Sequence, residues 1–167
     1  MGWTAGYLQG PFTARAAIEF DLGAEFAARV VDTARYGQVI YAAVRSSDGQ
    51  EVFGLVLLAK RRNGVLFTKP ISEDMGPIEN HCPARILDRL TEPGNDTARE
   101  WRKRCRARLA RPRPRPGQKV IFGKSLRFTN GDAHDTLTFQ GGSRFCSADG
   151  TTYYIRSWQA LDYSVEP

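Results

Sequence analysis

The sequence predicts an α+β fold: an N-terminal helix and an antiparallel β-meander, two linking helices, and a C-terminal small β-barrel of the SH3-like or OB-like kind. Three observations predict it. Residues 27–71 hold β-rich runs divided by Asp48-Gly49 and Asn63-Gly64, residues 83–109 place apolar side chains three and four apart, and the last fifty residues break into five or six short strand-like runs.

Residues 1–12, with Gly2, Gly6, Gly10 and Pro11 among Trp3, Tyr7 and Leu8, read as an irregular or short-strand opening. Thr13 caps a short helix over TARAAIEFDLG, and Gly23 closes it. The period then changes to that of strands: ARVVDTARY, QVIYAAVR, EVFGLVLLAKR and GVLFTKPI. Asp-Gly and Asn-Gly both accept positive φ, so they join these runs as tight hairpins. After the loop SEDMGPIENHCP, PARILDRL predicts a short helix with Pro83 in its first turn. Thr97 and Glu100 have the capping-box spacing for a second helix, along which Ala98, Trp101, Cys105 and Leu109 form one stripe. Pro112, Pro114 and Pro116 end that helix in an extended Arg-Pro tract. From Gln118 onward, KVIFG, SLRFT, DTLTFQ, SRFCS, TTYYIR and LDYSV alternate with Gly-containing turns. The expected organisation is a meander domain over 1–93, a basic helix and linker over 94–117, and a barrel over 118–167.

With 41% hydrophobic and 25% charged residues the chain is expected to fold rather than remain disordered. No apolar run approaches the roughly 20 residues of a membrane span, and the start lacks signal-peptide and myristoylation patterns. Three cysteines, Cys82, Cys105 and Cys146, do not make a disulfide framework. A cytoplasmic location without membrane contact is the expectation.

Charge is the most informative quantity. The net charge is +6, but residues 99–115 hold nine basic residues against one acid, whereas the rest of the chain holds 15 against 17. Arginines and lysines on a helical face neutralise phosphates and release counterions, and an extended Arg-Pro tract keeps its arginines apart along a backbone. Aromatics of the C-terminal region, such as Phe128, Tyr154 and Trp158, are of the type that stacks on bases. The expected function is therefore non-enzymatic binding of nucleic acid or a nucleoprotein complex through Arg99, Arg102, Lys103, Arg104, Arg106, Arg111, Arg113 and Arg115. Reversing Arg102, Arg106 and Arg113 to Glu is expected to abolish binding and leave the fold intact.

Two alternatives stand beside it. One is an inhibitor or adaptor that binds a host protein through an apolar patch. The other is an enzyme centred on Glu79, His81 and Cys82, where a thiol near a helix start lies beside an acid and an imidazole. Adjacent side chains usually point apart, which weighs against that pair. His81, Cys82, Cys105, His134 and Cys146 match no zinc spacing, and no phosphate-cradling Gly loop is present, so no metal or cofactor is expected. Asp132, His134 and Asp135 read as a polar hairpin tip.

MGWT at the start, EDMGP followed by HCPARILD, the EWRKRCRARL helix and LRFTNG together resemble a family of small uncharacterised bacterial proteins, a domain of unknown function met on phages, plasmids and other mobile elements. VLFTKPISED departs from the Gly-Tyr-Lys-like run of relatives, so no role for Lys69 is carried over, and no catalytic residue is implied. The resemblance implies an accessory factor that acts on a host component, with restriction or CRISPR machinery as natural targets.

Overall fold

The computed structural model describes residues 2–167, with the backbone alone at Ala160; Met1, the first residue of the MGWT start, lies outside the described residues. The chain divides into two compact units, Met1–Ala110 and Arg111–Pro167.

The first unit runs β1 (Thr4–Gly6), α1 (Ala14–Leu22), α2 (Ala24–Ala28), β2 (Val30–Tyr36), β3 (Val39–Arg45), β4 (Val52–Arg62), β5 (Val65–Ser72), a 3-10 turn at Glu73–Met75, α3 (Ala84–Leu87) and α4 (Asp96–Leu109). The expected meander is present, and β1 adds a fifth strand, giving the antiparallel order β1-β5-β4-β3-β2. Asn63 and Gly64 take φ of 50° and 79° between the paired Arg62 and Val65, as a two-residue primed turn requires.

Strand alternation sorts the sheet into two faces. Ile40, Ala42, Val44, Leu55, Leu57 and Leu66 pack against Ala17 and Ile18 of α1 and Ala27 of α2. On the other face Tyr41, Ala43 and Val56 meet Cys82, Ile86, Leu87, Trp101 and Cys105. Burial on both faces explains why IYAAV in β3 is a continuous apolar run instead of an alternating one.

Several local expectations change. The strand expected from about residue 28 starts at Val30, because AEFAA after Gly23 forms the short α2 instead. α3 is a single turn, and Pro83 stands just outside it with extended backbone. Asn95, not Thr97, caps α4: its side chain accepts from the Ala98 N–H at 2.8 Å, so the Thr97/Glu100 box does not form. Both helices pack on the first sheet. Arg85 and Arg89 on and after α3 hold Asp32 of β2, and the Arg85 hydrogen bond keeps that carboxyl below its usual range.

The second unit holds β6 (Lys119–Arg127), β7 (Ala133–Gly141), β8 (Arg144–Cys146), β9 (Thr152–Tyr154) and β10 (Tyr163–Val165), in the antiparallel order β10-β6-β7-β8-β9. KVIFG and SLRFT merge into β6, with a register shift between Ile121 and Leu126. Val120, Phe122, Leu137, Phe139, Phe145, Tyr153 and Trp158 form its core. This α+β protein thus has the C-terminal β region expected of it, but as an open sheet. Among the described residues no ladder joins β9 to β10, so these two short strands stand at the two edges of the sheet. No helix of the described residues is long and apolar enough to cross a membrane.

Candidate nucleic-acid interface

α4 carries five of the eight predicted contact residues, and its packing decides which of them are free to bind. Ala98, Trp101 and Cys105 are buried as the stripe predicts, whereas Leu109 is exposed. Trp101 lies over Gly54 of β4, where an added Cβ would stand 2.8 Å from the indole ring. Its Nε1 donates to the Glu79 carbonyl at 2.8 Å and so fixes the loop that precedes α3.

Arg102 is not a surface residue. Its Nε and Nη2 donate to the two oxygens of Glu73, each at 2.7 Å, with side-chain exposures of 12% and 4%. Nη1 donates to the Thr91 carbonyl. Glu73 Oε1 also accepts from the Gly54 N–H at 2.9 Å. The β4–β5 ladder ends at Leu55–Ser72, so this carboxylate takes the donor that the ladder would have paired next. The expectation that Arg102→Glu spares the fold is therefore corrected, because the change would set two carboxylates against each other in a buried site.

The other predicted residues divide similarly. Arg104 donates to the Pro77 carbonyl at 2.9 Å. Arg99 pairs with Asp96, Lys103 stands 3.9 Å from Glu100, and Arg106 stands 3.2 Å from Asp88, all exposed. In the second unit, Arg111 donates to the Leu161 carbonyl at 2.8 Å, pairs with Asp162 at 3.2 Å and lies over the Tyr163 ring. Arg113 and Arg115 are exposed, and among the described residues neither has an acidic partner.

The Glu79, His81 and Cys82 loop is poorly set for catalysis. The His81 N–H donates to the Tyr41 hydroxyl at 2.9 Å, while the His81 side chain is exposed and the Cys82 side chain fully buried. Burial drives the Cys82 thiol far above its usual range and Cys105 up to about 11, the opposite of what a thiolate nucleophile needs. At pH 8 a thiol reagent is expected to modify Cys146, which is part-exposed, and to reach Cys82 and Cys105 only after unfolding. Rapid native labelling of Cys82 would contradict this. Linkage gives a second readout. Below pH about 8.5 both thiols are protonated in either state. Above it the unfolded chain releases protons that the fold keeps, so stability falls toward the folded value of Cys105 at about 11.

At the hairpin tip of the second unit, Tyr153 donates to Asp132 and lies 2.9 Å from His134 Nε2, with Phe128 stacked 4.2 Å from its ring. Asp132 and His134 thus meet a residue that the turn alone did not reveal. The Asp132 hydrogen bond raises the Tyr153 pKa, and the network ties β7 to β9. No group of three His, Cys, Asp or Glu among the described residues is placed to hold a metal.

Sequence reading missed the buried Glu73 partner and a set of cations on the first sheet. The signal for the latter was the period of two in Lys60 and Arg62, and again in Phe67 and Lys69. The fold and site define a two-unit α+β protein with a partly structural, partly exposed arginine helix. A family model described as a domain of unknown function, DUF6927, matches residues 92–158, from just before α4 through β9. The EWRKRCRARL and LRFTNG segments lie inside that match; MGWT, EDMGP and HCPARILD lie outside it. Neither a curated protein nor a solved structure matches the chain.

Proposed function

We propose that the protein is a non-enzymatic binder of nucleic acid or of a nucleic-acid-bearing complex. The observation that carries this reading is the set of five exposed cations, Arg99, Lys103, Arg106, Arg113 and Arg115, within seventeen residues of a chain whose remainder has more acids than bases. The fold employs Arg102, Arg104 and Arg111, which are removed from the expected contact set. The partners of Arg99, Lys103 and Arg106 are solvent-exposed carboxylates, and such pairs are worth about 0–1 kcal/mol, so phosphates displace them at little cost. The mobile-element resemblance supports an accessory role in which the nucleic acid belongs to a host defence complex.

Purification with and without nuclease, at low and high salt, tests the reading, together with a band shift on two variants. Changing Arg99, Lys103 and Arg106 to Gln, or Arg113 and Arg115 to Gln, is expected to weaken binding while leaving the unfolding midpoint within a few degrees. Retention of full affinity by both variants would remove these residues from the interface.

One observation favours a protein-binding reading as well. Ile78 is 85% exposed and Met75 52% exposed, at the mouth of a groove of about 360 Å³ that Leu58, Pro70 and Ile71 help to line. An apolar interface there would bind with little salt dependence, whereas a phosphate grip weakens steeply with salt.

A further inference from the structure

α3 and α4 cover only part of the second sheet face. Strand register puts Tyr36, Val39, Leu58 and Lys69 in one row across β2, β3, β4 and β5, and Trp3, one residue before the Thr4–Thr68 pair, continues it. With strands about 4.8 Å apart, that row spans roughly 19 Å. Lys60 and Phe67 form a pair in the next row on the same face. The Lys60 ammonium lies 4.5 Å from the Trp3 ring centre and 5.9 Å from that of Phe67. Trp3 is 47% and Tyr36 53% exposed.

Such residues have a bland role at a sheet edge, as a solvated border with one or two apolar side chains. Three features argue for more. Two exposed aromatic rings, Tyr36 and Trp3, end the row, and the Lys60 ammonium lies beside Trp3. Among the described residues Lys60, Arg62 and Lys69 have no acidic partner, although the chain's acids pair with many of its other cations. The open face also continues into the groove beside Met75 and Ile78, which Leu58 and Lys69 of the row help to line.

We infer that the uncovered half of this sheet face is a platform for single-stranded nucleic acid, with bases stacked on Trp3 and Tyr36 and phosphates held by Lys60, Arg62 and Lys69. Stacking on aromatic faces beside a positive track is how single strands are gripped without regard to sequence, and a paired duplex does not present its base faces. This inference rests on the proposed function and assigns its strand preference to a surface separate from the exposed cations of α4.

The test uses the full chain, a fluorescein-labelled 12-nucleotide mixed-sequence DNA strand, and the same strand annealed to its complement. The single strand is expected to bind more tightly than the duplex and to quench tryptophan fluorescence, because Trp3 is exposed whereas Trp101 and Trp158 are buried. Trp3→Leu is expected to abolish the quench and to weaken single-strand binding roughly tenfold. Lys60→Gln is expected to lower the slope of log affinity against log salt by about 0.7. Arg61→Gln is the control: its side chain lies on the opposite face, over Phe12, and its loss is expected to change affinity by less than about twofold. Equal binding of strand and duplex would overturn the inference. So would binding that Trp3→Leu and Lys60→Gln leave untouched but the α4 or Arg113 and Arg115 variants weaken, a result that keeps the proposed function. No binding of either probe would overturn both.

Discussion

Arg102→Ala is expected to lower the unfolding free energy by about 3–5 kcal/mol, which a urea titration followed by tryptophan fluorescence will read. The cost is mainly that of Glu73. With 4% of its side chain exposed, the carboxylate keeps only the Gly54 N–H once the guanidinium fork is gone, and an uncompensated buried charge is expensive. The series Arg102→Lys, Arg102→Ala, Arg102→Glu should be increasingly harmful. Lys retains a charge but not the fork, and Glu adds a second negative charge against Glu73. Arg106→Ala on the same helix breaks only an exposed pair and should cost less than about 1 kcal/mol. Equal costs at the two positions would show that Arg102 is as dispensable as its neighbours.

Trp101→Ala should be similarly damaging, by about 3–5 kcal/mol. The indole is fully buried against Tyr41, Ala43 and Val56, and the space above Gly54 is shaped for it. Removal leaves a cavity and deprives the Glu79 carbonyl of its donor. Trp101→Phe separates the two losses, because it keeps much of the apolar volume and none of the N–H. An intermediate midpoint for Phe in thermal unfolding, between wild type and Ala, is the expected result; a Phe variant as unstable as Ala would assign the effect to the hydrogen bond.

These two residues show why the helix was half legible in the sequence. Ala98, Trp101 and Cys105 announce a buried stripe by their spacing, because apolar side chains recur with the helical period. Nothing in that period marks Arg102 as buried, since its partner lies 29 residues earlier and comes from the end of a strand. A run of arginines reads as a solvated face unless a distant acid is known to meet it. The meander was legible for a local reason: Asn63-Gly64 fixes a hairpin through its own backbone preferences. Closure of the C-terminal sheet was not, because it depends on whether β9 and β10 meet, and short strands with good turns fit an open or a closed sheet equally well. The cation and aromatic platform was hidden differently. Trp3 and Lys60 are far apart in the chain, and only the β1–β5–β4 pairing brings them to one face.

The claim that this chain grips nucleic acid is tested most directly by the affinity of the wild-type protein for a labelled single strand, measured by anisotropy from 50 to 200 mM salt. The account predicts detectable binding at low salt with log affinity falling linearly as log salt rises, at a slope of several phosphate contacts. Absence of binding at the lowest salt, or an affinity unchanged across the range, would contradict it and turn attention to the exposed Met75 and Ile78 surface.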